Sequence, residues 1–193
     1  MHESLLLFIN SIFPQFSIDW MLVEPLLATR KLSRGETLFQ EGDVCEFVGL
    51  TLKGCLRMFF SKDGKELTLF FHPEHYPVGD YQNMRLQQPA YFSCQAIEDS
   101  EVLILNQQVI HVLESAPHGQ QLMRLIVESL AFRLRDRLLS LYRDTPEQLY
   151  LRLLKTEPQL LQRVPQHYIA SYLGIEPESL SRLKRRVYHR GIS

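Results

Sequence analysis

The chain has 193 residues, enough for one large domain or two small ones, and 45% hydrophobic with 22% charged residues is the balance of an ordinary globular protein. That balance excludes a disordered or fibrous chain, and no run approaches the ~20 apolar residues that a membrane span needs. A net charge of -1 gives no polyanion-binding signal by itself, yet the charge is unevenly spread: residues 1–108 hold 8 basic against 14 acidic residues, 109–143 hold 5 against 3, and 144–193 hold 8 against 5. After Leu180 there are five basic residues and no acid. An acidic half followed by a basic end suits nucleic-acid binding, although a basic tail alone is more often a solvated face.

The N-terminal stretch MHESLLLFINSIFPQF carries Glu3 and lacks both a basic leading segment and a small-residue cleavage site, so it does not read as a signal peptide. Leu5, Ile9, Ile12, Phe13 and Phe16 stand at helical spacing with Pro14 interrupting them, which predicts one or two short helices before residue 28. From Arg30 to Leu105 the texture changes to apolar runs of four to six residues separated by turn signals, and this spacing predicts a β-barrel or sandwich. KDGK at 62–65, between LRMFF and ELTLFF, predicts a hairpin with Gly64 at positive φ. Cys45, Cys55 and Cys94 have neither metal-site nor disulfide spacing and read as reduced core thiols, which with the absent signal peptide points to the cytoplasm.

After Asn106 the helical period returns. Leu122, Ile126, Leu130, Leu134, Leu138 and Leu141 form a long stripe that Met123, Val127 and Leu139 widen. A stripe this wide fits two arrangements equally: a helix facing its own barrel on one side and a second subunit on the other, or a core helix of a single chain. Arg143-Asp144-Thr145-Pro146 ends it, because proline disfavours the helical region in the residue before it and suits the first turn of a new helix. Three segments result: a strand-rich one at 1–108, a long helical linker at 109–143 and a C-terminal helical one at 144–193.

VPQHYIASYLGIEPESLSRLKRRV at 164–187 reads as two short helices around a tight turn. Pro165 opens the first, Ile169 and Leu173 face inward, Gly174 stands where a left-handed cap is needed, and Pro177 fits the first turn of the second. At 100° per residue, Leu180, Leu183 and Val187 share one side of that second helix, while Glu178, Arg182, Arg185 and His189 share the other. Arginine can make two parallel hydrogen bonds to guanine, glutamate can accept from cytosine, and flanking cations neutralise phosphates. Glu178, Ser179, Arg182 and Arg185 are therefore the candidates for base edges. Gln166, His167 and Arg186 are the candidates for phosphates, with Lys184 a weaker one. A basic amphipathic helix without DNA function is the rival reading of the isolated pattern.

In order and in motif the chain resembles the Crp/Fnr family. LSRGETLFQEGD, GLTLKGCLRMFF, GKELTLFF and QAIEDSEVLIL are similar to the cyclic-nucleotide-binding β-roll, and the segment from Thr145 to Arg186 is similar to the winged-helix region of a Bacteroidetes-type branch. The resemblance implies an α+β chain: an N-terminal double-stranded β-helix or jelly-roll barrel, a long dimerisation helix, and a C-terminal helix-turn-helix with a truncated wing, since only three residues follow Arg190. It further implies a homodimer on a near-palindromic operator of double-stranded DNA, with RNA polymerase as a further partner. Glu178 and Arg182 match the family's pair of base-reading residues, whereas Pro177 replaces its early arginine.

Cyclic-nucleotide binders of the family carry Gly-Glu and then Arg-Ser/Thr-Ala. Here Gly79-Asp80 and Ala90-Tyr91-Phe92 stand in those places, so the phosphate arginine is missing and tight cyclic-AMP binding in the usual pose is not expected. Gly79, Asp80 and Arg133 remain as effector-pocket candidates for an unidentified small molecule. Asp80 reads more readily as a turn residue, and Arg133 as a solvated or inter-subunit arginine beside Arg135 and Arg137. His72 and His75 around Pro73 lack the further ligands of a cupin metal site and read as a turn with exposed histidines. The cysteines do not resemble an iron-sulphur sensor, a single haem-ligating histidine would leave no readable spacing, and no nucleophile-base-orienter set suggests an enzyme. The competing reading of the whole chain is a ligand-binding or interaction β-roll without DNA function, in which Arg182 and Arg185 would be buried in a subunit interface.

Overall fold

The computed structural model describes residues 2–189 and 191. By packing, the chain divides into one unit of residues 1–58 and 71–133 and a second of residues 59–70 and 134–193. The expected truncated wing falls on residues 190–193, and apart from Gly191 these lie outside the described residues.

In the first unit, helices α1 (His2–Ile12) and α2 (Trp20–Val23) precede strands β1 (Ala28–Leu32), β2 (Thr37–Phe39) and β3 (Phe47–Lys53). The hairpin of β4 (Leu56–Lys62) and β5 (Lys65–His72) follows, then β6 (Pro77–Val78), helix α3 (Tyr81–Leu86), β7 (Ser93–Ala96) and β8 (Ser100–Asn106). The strands form two sheets, ordered β1-β8-β3-β6 and β2-β7-β4-β5. This is the expected jelly-roll.

Strand β8 shows how the sequence builds its two-sided sheet. Successive side chains alternate faces. Val102 and Ile104 enter the cluster between the sheets with Leu32, Leu38, Phe39, Leu56 and Cys94. Leu103 and Leu105 point the other way, onto Leu5, Ile9, Val23 and Leu122. The N-terminal helices thus cover the outer face of the first sheet, and each fully buried leucine or isoleucine there contributes about 1.5–3 kcal/mol.

Gly64 at the hairpin tip has φ of 75°, as the KDGK motif predicts, and Asp63 before it also takes a positive φ, 53°. The histidines depart from expectation. His75 is exposed, but His72 is buried, 4% accessible, with Nδ1 2.7 Å from the Pro77 carbonyl oxygen. The end of β5 buries Phe71 and His72 side by side, and this outweighs the turn signal of Pro73.

The helical stretch after β8 is not continuous. Helix α4 (Gln107–Ser115) stops before Ala116-Pro117-His118, and α5 (Gly119–Arg143) begins where Gly119 leaves no room for a side chain, since a Cβ there would stand 2.1 Å from the Leu113 carbonyl oxygen. Leu122 and Met123 of α5 are buried, whereas Val127, Leu134, Leu138 and Leu141 are exposed.

In the second unit, α6 (Pro146–Thr156), α7 (Pro158–Arg163), α8 (Gln166–Leu173) and α9 (Pro177–His189) pack around Leu149, Tyr150, Leu160, Val164, Ile169, Leu173, Leu180, Leu183 and Val187. Thr145 and Gln148 start α6 with a reciprocal capping box: the Gln148 N–H donates to Thr145 Oγ1 at 3.3 Å, and the Thr145 N–H donates to Gln148 Oε1 at 2.8 Å. Just before it, the Asp144 carboxylate accepts from Arg143 at 2.9 Å and also from Arg152. The Arg143 bond, helped by Arg152, holds Asp144 below the usual carboxylate range against the opposing effect of desolvation.

Candidate nucleic-acid interface

The turn between α8 and α9 is set by Gly174, whose φ of 70° is left-handed. From there the N–H of Ile175 reaches back 3.0 Å to the Ala170 carbonyl oxygen, closing the end of α8. Pro177 begins α9 three residues later, where its missing N–H costs nothing. Leu180, Leu183 and Val187 are 1%, 3% and 1% accessible, so one side of α9 is anchored in the core. Glu178, Arg182, Arg185, Arg186 and His189 are all exposed, and Ser179 is half-buried. The periodicity of α9 therefore sorts its side chains as the sequence predicts, an apolar seat below and a polar face above.

Neighbouring contacts pre-order part of that face. Arg182 Nη2 donates to Ser179 Oγ at 3.2 Å, which draws together two of the base-edge candidates. Lys184 donates to Gln166 Oε1 at 2.9 Å, tying α9 to the first turn of α8, where Gln166 and His167 are both exposed. Arg186 pairs with Glu147 of α6 at 3.3 Å. An open groove of about 630 Å³ between the start of α6 and α9 is lined by Thr145, Glu147, Ser179, Arg182 and Arg186 among others. The N-terminal N–H groups of α6 add partial positive charge there. Glu178 lies in the first turn of α9, where the helix dipole favours a carboxylate.

The effector candidates of the first unit are engaged differently. Gly79 has φ of 131°, and the Cβ of another residue would stand 3.1 Å from Val48 Cα. Asp80 caps α3, its Oδ1 accepting from the Asn83 N–H at 3.0 Å. Arg133 donates to the Phe71 carbonyl oxygen at 2.9 Å and lies over the Tyr76 ring at 4.6 Å. Burial, and secondarily the Arg133 charge, push the His72 imidazole down to about 3, so the buried ring is neutral. Ala90, in the place of the missing phosphate arginine, is 2% accessible and exchanges 2.8 Å backbone hydrogen bonds with Gly42 and Asp43.

Sequence reasoning missed the buried cation of this unit. Arg57, 1% accessible, donates from Nε and Nη2 to Gln95 Oε1 at 3.1 and 2.8 Å, and Gln95 in turn donates to the Gly35 carbonyl oxygen at 2.9 Å. The available signal was one arginine inside the apolar run LRMFF. The three cysteines are buried and form no disulfide, and burial raises the thiols of Cys45, to about 11, and Cys94. Among the described residues no group of three His, Cys, Asp or Glu side chains could hold a metal, and no helix is long and apolar enough to cross a membrane.

Comparison with known proteins bears on the fold. The cyclic nucleotide-binding domain family matches residues 29–114. The anaerobic regulatory protein of Bacillus subtilis is 33% identical over 87 residues, which are 44% of this chain and 36% of that protein, so the match spans about a third of the relative's length. FixK2 of Bradyrhizobium japonicum superposes with a TM-score of 0.70 at 18% identity, covering 86% of each chain. The catabolite activator protein of Thermus thermophilus does so with a TM-score of 0.57 at 22% identity, over 93% of this chain and 87% of that one. These likenesses are of fold. Residues 29–114 are a cyclic nucleotide-binding-type β-roll, and with the helix-turn-helix that follows, the chain has the fold of the Crp/Fnr family of regulators.

Proposed function

We propose that the chain is a DNA-binding transcription regulator of the Crp/Fnr type and has no enzymatic activity. The observation that carries the proposal is the geometry of α9, whose apolar side is seated in the core while Glu178, Arg182 and Arg185 stand exposed after the Gly174 turn. Both arginines are exposed in the single chain, as contact with a duplex requires. In this reading Glu178, Ser179, Arg182 and Arg185 meet base edges, and Gln166, His167 and Arg186 meet phosphates. Residues 144–193 read DNA, 1–108 form the effector-type domain, and 109–143 link them.

Two copies would join along α5. Val127, Ala131, Leu134, Leu138 and Leu141 follow one another at intervals of four, three, four and three, which is the heptad seam of a coiled coil, and all five are exposed in the single chain. A two-fold pair of helix-turn-helix units reads a near-palindromic operator, with half-sites one DNA turn apart. The protein would work in the cytoplasm, where RNA polymerase is its further partner.

The β-roll does not suit cyclic AMP in the usual pose. Ala90 offers no charge, Asp80 is occupied as a helix cap, and Arg133 is engaged by Phe71 and Tyr76. An effector, if the roll takes one, is a different small molecule.

The test is to incubate purified full chain with a pool of random duplexes at low salt and sequence what is retained. A near-palindromic motif is expected, with log affinity falling against log salt by about 0.9 for each phosphate contacted. Retention of no duplex at low salt overturns the proposal.

A further inference from the structure

The tip of the β4–β5 hairpin, residues 59–70, belongs by packing to the unit that contains the helix-turn-helix. Strand β5 is the edge of its sheet, so alternate N–H and C=O groups along it have no strand to pair with. Residues 66 and 68 present theirs to the same side. Ser171 of α8 meets both: its Oγ donates to the Glu66 carbonyl oxygen at 2.7 Å and accepts from the Thr68 N–H at 2.9 Å. From α5, Arg137 reaches the same place. Its Nη2 donates to the Tyr172 carbonyl oxygen at 2.7 Å and to that of Thr68 at 3.4 Å, and its guanidinium lies 3.7 Å from the centre of the Tyr172 ring. Arg137 is only 7% accessible, and burial lowers its pKa. At the exposed rim Lys65 pairs with Glu176, immediately before α9.

A helix-turn-helix needs only α8 and α9 to form its turn. A buried guanidinium is costly to desolvate; here Nη2 bonds both carbonyls and the group lies over a ring, while Nε and Nη1 have no hydrogen-bond partner among the described residues, so these contacts offset part of that cost. Those contacts join three elements, α5, β5 and α8, and α8 is the helix from which Gly174 launches α9. The exposed face of α9 stays open while the hairpin is in place.

We propose that Arg137 and Ser171 are positioning residues for operator reading: by fastening the open edge of β5 and the C-terminal part of α5 to α8, they fix the angle at which α9 is presented to DNA. The proposal rests on the DNA-binding reading above. It adds a role for residues that touch no base or phosphate.

The experiment compares full-length wild type with Ser171→Ala, Ser171→Thr and Arg137→Lys, each titrated over a range of salt with the selected operator and with an unrelated duplex. Ser171→Ala removes two hydrogen bonds, and about a tenfold loss of operator affinity is expected. Its salt slope and its affinity for the unrelated duplex should stay at wild-type values, because no phosphate contact is lost. Ser171→Thr keeps the hydroxyl and should restore operator binding. Arg137→Lys keeps the charge but loses the flat guanidinium that lies over the Tyr172 ring, and should not. Operator affinity within twofold of wild type in both Ser171→Ala and Arg137→Lys overturns the positioning role, as does a parallel loss on both duplexes, the signature of a variant that has merely unfolded. A wild-type chain that binds neither duplex overturns the DNA-binding reading itself, and the positioning role with it.

Discussion

Replacing Leu134 and Leu138 together by alanine should dissolve the proposed dimer while sparing the subunit. The two leucines are 59% and 53% accessible in the single chain, so about half of each side chain is already covered and half remains for a partner. Full burial of a leucine is worth about 1.5–3 kcal/mol, which leaves about 1 kcal/mol per leucine for association. A symmetric dimer contains four of them, or about 4 kcal/mol, and at about 1.4 kcal/mol per decade the dissociation constant should rise about a thousandfold. Alanine is the best helix former, so α5 itself should survive. Sedimentation equilibrium across a wide concentration range measures the constant, and circular dichroism checks the helix content. A shift smaller than about tenfold, with helix content retained, would refute the assignment of this face as the seam.

Arg182→Ala should cost about 1–3 kcal/mol against the selected operator while changing affinity for unrelated duplex far less, which competition titrations measure; equal losses on both would mark Arg182 as a phosphate contact. Thr145→Ala removes the capping box of α6 and should destabilise the second unit by about 1 kcal/mol, read from denaturant unfolding. The buried His72 should make stability fall on acidification. Its folded pKa is about 3 against an ordinary 6.5, so below 6.5 the unfolded chain takes up a proton that the folded chain refuses. The contribution is fully present above 6.5 and drains away at about 1.4 kcal/mol per pH unit as pH falls toward 3. His72→Gln should flatten that limb of the profile, and an unchanged slope would mean that another group is responsible.

What the sequence disclosed depended on the range of the interaction. Asp63-Gly64, Gly174 and Pro177 act within a few residues of themselves, and each stands where its backbone preference places it. The two sides of α9 follow equally from periodicity. His72 was misjudged because proline is a local signal, while the burial of His72 comes from the packing at the end of β5. Arg133 reads from the sequence as a pocket residue or as a solvated or inter-subunit arginine, and the contacts it makes within the chain, to Phe71 and Tyr76, lie more than fifty residues earlier. Such a contact has no periodic trace. The Ser171 hydroxyl lies still further from its partners, 105 residues from Glu66 and 103 from Thr68, and an isolated serine in a helix gives no hint of a strand edge. Arg137 is no more legible: it flanks the seam on α5, where an arginine serves a partner helix as readily as its own chain.

The hairpin also bears on how such a protein can be divided or recombined. A fragment starting at Asp144 would carry all four helices from α6 to α9, yet it would leave behind Arg137 and the backbone groups of Glu66 and Thr68 that Ser171 and Arg137 engage. Ser171 and the Tyr172 carbonyl would then face water. An exchange of DNA-reading segments between relatives at the proline hinge would likewise join a foreign α8 to this strand edge, without any assurance that a hydroxyl stands opposite residue 68. Modules that look interchangeable in a linear alignment would here be inherited as a matched pair, with compatibility decided by the edge of β5 at Glu66 and Thr68 and one turn of α8.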